Sequence, residues 1–241
     1  MDKGKYLLFG ILLLNQVQPC FGQVPTPSVP RVSWSASSMD SLVERCVADK
    51  TRISQLPVKA LKFDEGKLLS KALRRGLPEL AVRRALQFLQ QNQDRIPNKE
   101  YLTIVDYAQS ALDKRFHILR LRDGETWSFP VQHGRESDPD QDGFVNSLHH
   151  FGNEVGTHMS IVGFAVTGGS YYGHSGTGLI IHGMETAKND QACRRSIVVK
   201  GGDKVGTVWR SRGSVVLDSR RAEKVIGQIK DGSVIYFYPG Q

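Results

Sequence analysis

The chain has 241 residues, 39% of them hydrophobic, and 32 Lys and Arg against 24 Asp and Glu give a formal charge of +8. That length and apolar content suit one domain with an N-terminal appendage and an ordinary buried core. Three cysteines in such a chain exclude a disulfide-built scaffold.

Lys3 and Lys5, the apolar run Tyr6 to Leu14 and the small-residue site Cys20-Phe21-Gly22 together read as a secretory signal over residues 1–22. The apolar run is too short to span a bilayer. Cleavage after Gly22 is the expectation, with lipidation at Cys20 as the alternative. Cys46 and Cys193 then remain in a compartment that permits disulfides, and the sequence leaves open whether they pair. Export sets nucleic acid aside as a partner of the basic surface. Anionic cell-envelope polymers take its place, or the charge serves solubility alone.

Residues 23–38, with Pro25, Pro27 and Pro30, read as an extended Pro/Ser-rich linker. A helical region is expected over 39–96. Ser41-Leu-Val-Glu44 has the form of a capping box, Asp64 caps a helix that stops at Gly76, and Pro78 opens another to about Gln91. Val82, Ala85, Leu86 and Leu89 recur at helical spacing and form the buried stripe of the last of these.

From residue 97 to 241 the period becomes that of strands. Leu102 to Asp106, Arg115 to Leu121 and Thr126 to Gln132 are strand candidates, with a tight turn at Asp123-Gly124. Gly168 to Gly178 reads as a glycine-rich loop. Leu179 to His182 and Ser196 to Lys200 are apolar strands, Arg220 to Lys230 a helix, and Ser233 to Tyr238 a last strand. The predicted fold class is α+β: a mostly β domain preceded by a short helical region.

Asp138-Pro-Asp140-Gln-Asp142-Gly143 copies half of a calcium loop, but His149 stands where a bidentate Glu is needed. A solvated acidic loop is expected there. His149, His150, His158, His174 and His182 show no metalloprotease spacing, so neither a metal site nor a cofactor is expected. His133 is expected to make a structural hydrogen bond.

Residues 100 to 238 resemble the murein L,D-transpeptidase (YkuD-type) catalytic domain. The resemblance is carried by Leu102-Thr-Ile-Val-Asp106-Tyr107, Val131-Gln-His133-Gly134-Arg135, Phe144-x-Asn146, Ser160-x-x-Gly163-Phe164, Gly183-Met-Glu185 and Asn189-Asp190-x-Ala192. It implies peptidoglycan stem peptides as ligand, a cell-envelope location, periplasmic or secreted, and room for an envelope protein partner. Family members end one apolar strand in His-Gly and open the next with Ser-x-Gly-Cys. Here those places read Lys200-Gly201 and Ser211-Arg212-Gly213-Ser214.

Further departures are Ser175 before Gly176, where the family tends to have His, and His182 at a usually acidic position. The resemblance thus implies a catalytic pair Ser214 and Lys200, with Ser175, Gly176, His182, Ser211, Arg212 and Gly213 lining the substrate groove. Backbone NH groups around Ser214 are the expected oxyanion donors. A serine needs a strong base, and Lys200 is one only if burial or neighbouring cations lower its pKa. Three functions stay open. One is a degenerate, peptidoglycan-binding or regulatory protein; another is an acyltransferase or L,D-carboxypeptidase using Ser214 and Lys200; the third is an envelope interaction protein that keeps only the fold.

Overall fold

The computed structural model describes residues 39–138, 140, 147–206 and 210–240. The expected signal, linker and most of the acidic loop lie outside these residues. The described residues form one compact unit. Among the described residues no helix is long and apolar enough to cross a membrane.

Among the described residues three helices come first: α1 (Met39–Ser54), α2 (Glu65–Arg74) and α3 (Glu79–Gln91). The carboxylate of Asp64 accepts from Lys67 N and caps α2, Gly76 follows its end at φ +80°, and Pro78 caps α3 as expected. The Ser41 capping box does not start α1, which begins two residues earlier at Met39.

Eight strands follow among the described residues: β1 (Tyr101–Asp106), β2 (Phe116–Arg120), β3 (Thr126–Phe129), β4 (Gly163–Gly173), β5 (Gly176–Gly183), β6 (Val198–Gly202), β7 (Val215–Asp218) and β8 (Val234–Tyr238). They form one sheet in the order β3-β2-β1-β8-β4-β5-β6-β7. The pairs β1·β8 and β6·β7 are parallel and the others antiparallel. Helix α4 (Ser219–Ile229) connects β7 to β8 and packs against β5 and β6.

Alternation along the strands sends side chains to two cores. Leu102 and Ile104 of β1 and Val234, Tyr236 and Tyr238 of β8 meet α2 and α3, while Val105, Ile235 and Phe237 join the core under α4. Phe164 is sandwiched between Phe88 of α3 and Tyr236, with centroids 4.0 and 4.1 Å away. The sheet is therefore covered on both faces.

The glycine-rich segment Gly168 to Gly178 is a hairpin of β4 and β5 rather than a loop, with a register shift between Thr167 and Ser170. Its glycines make room. A Cβ on Gly168 would lie 2.1 Å from the Asp49 carboxylate of α1, and one on Gly178 would lie 2.4 Å from the Tyr171 ring. Close packing selects these two, whereas Gly176 is needed for its φ of +81° at the hairpin turn.

The same contact zone carries a disulfide between Cys46 of α1 and Cys193, with Cα atoms 5.6 Å apart. It closes a loop with a sequence separation of 147 and ties α1 to the far end of β5. The double substitution Cys46→Ser, Cys193→Ser is expected to destabilise the fold by about 2–5 kcal/mol through the freed unfolded chain. Urea unfolding of both forms measures this. A loss under about 1 kcal/mol would show that the bridge adds little to the stability of the fold.

Candidate functional site

The two segments that carry the resemblance's reactive positions become neighbours through the parallel pairing of β6 and β7. Val199 lies opposite Val215 and Lys200 opposite Val216. The pairing is tight on its outer side as well: a Cβ on Gly201 would lie 3.2 Å from both Ala222 Cβ and Ser219 Cα of α4. The helix N-terminus thus sits against the end of β6, and Asp218 caps it by accepting from Arg220 N.

Ser214 immediately precedes β7 and is buried. Its hydroxyl oxygen accepts from Val198 N at 3.3 Å. Lys200 is two positions further along the ladder, a Cα separation of roughly 8 Å from strand spacing and rise. Among the described residues no hydrogen bond joins Ser214 to Lys200. Lys200 is half-buried; burial, then the charge of Arg212, lowers its ammonium pKa below the ordinary lysine value.

The remaining expected groove residues divide into three places. Ser175 lies with Lys200, His174, Gly201, Gly202, Asp203, Lys204, Val216 and Ser219 around a cavity of about 450 Å³. Gly176 turns the adjacent β4–β5 hairpin at φ +81°. Ser211 and Gly213 sit with Ser214 on a buried turn, and Arg212 is exposed beside them. His182 lies elsewhere, buried against Asp49 and the disulfide.

Internal bonds hold the Ser211–Ser214 turn. Ser211 Oγ is 3.0 Å from His133 O and 2.5 Å from Ser214 O, and it accepts from Gly213 N. That NH, expected as an oxyanion donor, is therefore already engaged. Gly213 has φ +103°, and a Cβ there would lie 2.7 Å from Met159 O, so no other residue fits without strain.

Three arginines, which composition alone does not single out, support this turn from beneath. Arg115 is fully buried and donates to Val131 O and, at 2.5 Å, to His133 Nδ1. Arg195 donates to Gly152 O, Thr157 O and Met159 O, holding the strand of chain that crosses Gly213. Arg210 pairs with Asp138 at 3.4 Å and donates to Gln132 Oε1, while Gln132 Nε2 donates to Lys204 O. Asp138 is thus a buried ion-pair partner and not the first residue of a solvated loop.

The framework residues of the resemblance act structurally. Asn189 donates to Val162 O and Phe164 O and accepts from Glu185 N, clamping the turn after β5. Gly183 lies against the Asn189 carbonyl, where a Cβ would be 1.8 Å away. The cavity residues His174, Lys204 and Asp203 carried no sequence signal beyond their place beside Gly-rich turns.

The family described as the L,D-transpeptidase catalytic domain matches residues 74–238, more than half of the chain. No curated protein matches it. Among solved structures, the helical cell shape determining protein Pgp2 of Campylobacter jejuni, a point mutant, is 14% identical over 59% of this chain and 48% of that one, with a TM-score of 0.40. The chain spans about half the length of that protein. An L,D-transpeptidase of Xylanimonas cellulosilytica is 15% identical over 89% of this chain and 99% of that one, with a TM-score of 0.36.

Two histidines make the fold acid-sensitive. Burial lowers the His117 pKa to about 4, and burial with the charges of Arg115 and Arg210 lowers that of His133 to about 2. An unfolded chain protonates both near pH 6.5, so below that value it binds more protons than the fold and stability falls with pH. The expected loss is about 1.4 kcal/mol per ring by pH 5.5. Urea unfolding between pH 7.5 and 5.5 measures it, and His117→Asn should flatten the curve; an unchanged slope would refute the assignment.

Proposed function

The chain belongs to the L,D-transpeptidase catalytic-domain family, and on that footing we propose that it is an exported cell-wall protein that binds peptidoglycan stem peptides without acyl transfer. The observation that carries this reading is the Ser214 hydroxyl, which accepts from a backbone NH and has no hydrogen bond to Lys200. A nucleophile of this kind needs a base within hydrogen-bond reach, about 2.6–3.2 Å. The Gly213 NH turned inward removes one oxyanion donor as well.

Binding is supported by the cavity itself. Lys200, Lys204 and His174 line it beside Ser175, Ser219 and a single carboxylate, Asp203, so cationic groups outnumber the acidic one where the carboxylates of a stem peptide would enter. Regulation of an active relative, through an envelope protein partner, is the other use of such a groove. Export is supported by residues 1–22 and by the Cys46–Cys193 bridge, which persists in oxidising compartments. The natively produced protein should begin near Gln23; N-terminal sequencing that returns Met1 would refute export by this signal.

A second reading, a Ser214–Lys200 hydrolase or acyltransferase, is favoured by the lowered Lys200 pKa, which moves the amine toward the basic form. Incubation with muropeptides, followed by mass spectrometry of protein and products, separates the two. The binder should give no turnover at any pH and should co-sediment with purified sacculi. Lys200→Ala should weaken that sedimentation about fivefold, the worth of an exposed contact of ~1 kcal/mol. Turnover that is lost in Ser214→Ala would establish the second reading instead. In Lys200→His with Ser214→Cys, a gain of L,D-transpeptidase activity would show that the groove seats a stem peptide.

A further inference from the structure

Cys46, His182 and Cys193 come from α1, β5 and the segment after β5, and their Sγ and imidazole nitrogen atoms lie within 4.8 Å of one another. His182 Nδ1 is 3.7 Å from Cys46 Sγ and 3.5 Å from Cys193 Sγ. Its other nitrogen, Nε2, is 2.8 Å from Asp49 Oδ2. With Nε2 set against the Asp49 carboxylate, Nδ1 is the ring nitrogen that faces both sulfurs.

We propose that the dithiol form of this protein holds a zinc-class divalent cation on Cys46 Sγ, Cys193 Sγ and His182 Nδ1. A tetrahedral zinc with Zn–S of about 2.3 Å and Zn–N of about 2.0–2.1 Å has N···S edges of roughly 3.6 Å. Both observed N···S distances have that length, so only the sulfur–sulfur edge must open. Asp49 supplies the carboxylate that metal-bound histidines ordinarily contact through their second nitrogen. Three protein ligands leave a fourth position for water or for another donor.

A phosphine reductant takes oxygen from water, becomes the phosphine oxide, and delivers two electrons to the disulfide, while the two protons of that water convert the sulfurs to thiols. Metal entry displaces both thiol protons to solvent and forms two S–metal bonds and one N–metal bond. Either cross-link holds α1 against β4 and β5. The fold thus keeps this tie both before and after the disulfide closes.

The test uses the purified chain, reduced anaerobically with a phosphine and titrated with Co²⁺ and Zn²⁺. The reduced protein should take one ion per chain in native mass spectrometry. With cobalt it should show tetrahedral d–d bands and sulfur-to-metal charge transfer, and the oxidised protein should show neither. Asp49→Asn should weaken binding about 10–100-fold, as loss of an outer-shell partner does. His182→Asn, which keeps a polar group of similar size, should abolish the tetrahedral spectrum; disulfide formation and circular dichroism of its oxidised form verify that it folds. Uptake no greater in the reduced than in the oxidised wild type would overturn the proposal, as would a cobalt spectrum unchanged by His182→Asn.

Discussion

An eight-stranded sheet whose strands are apolar on both faces cannot stand in water uncovered, and most of this architecture answers that constraint. Helix α4 covers one face and the N-terminal helices the other. Each cover fixes something functional. Pressing α4 onto β6 leaves a close fit at Gly201 and sets the helix N-terminus beside the cavity, while pressing α1 onto the β4–β5 hairpin requires Gly168 and buries His182 with Asp49. The site and the sulfur cluster are consequences of how the sheet is closed off.

The sequence exposes what depends on short-range periodicity. The stripe of α3, the Asp64 cap, the Pro78 start and the strands around Ile104 and Phe237 follow from spacing alone, because side-chain direction there repeats every 3.6 or 2 residues. Gly168 to Gly178 misleads the same logic. Gly168 and Gly169 answer to an α-helix more than a hundred residues away in sequence, and no local pattern encodes that neighbour. Asp138 misleads for a related reason: its acidic surroundings suggest solvent, while its partner Arg210 arrives from the other side of the site.

At the candidate site the resemblance locates Lys200 and Ser214, but it does not supply their separation. That comes from parallel register, in which Lys200 faces Val216 and Ser214 lies one pleat earlier. The buried arginines were invisible for another reason. Arg115, Arg195 and Arg210 are ordinary surface residues by composition, and only the folded chain shows that they satisfy main-chain carbonyls and a carboxylate beneath the Ser211–Ser214 turn. This scaffolding shapes the turn through main-chain contacts, whatever side chain stands at Ser214.

The bridge between Cys46 and Cys193 also has a mechanical meaning. Tension entering the domain from the N-terminal side and leaving at the C-terminus runs through Cys46, crosses directly to Cys193, and bypasses the chain between them, a span with a sequence separation of 147. The segments that carry β1 to β5 lie off that load path. A protein stretched between two anchorage points would therefore feel the pull first in β6, β7, α4 and β8, and the walls of the cavity would register strain before the rest of the fold did.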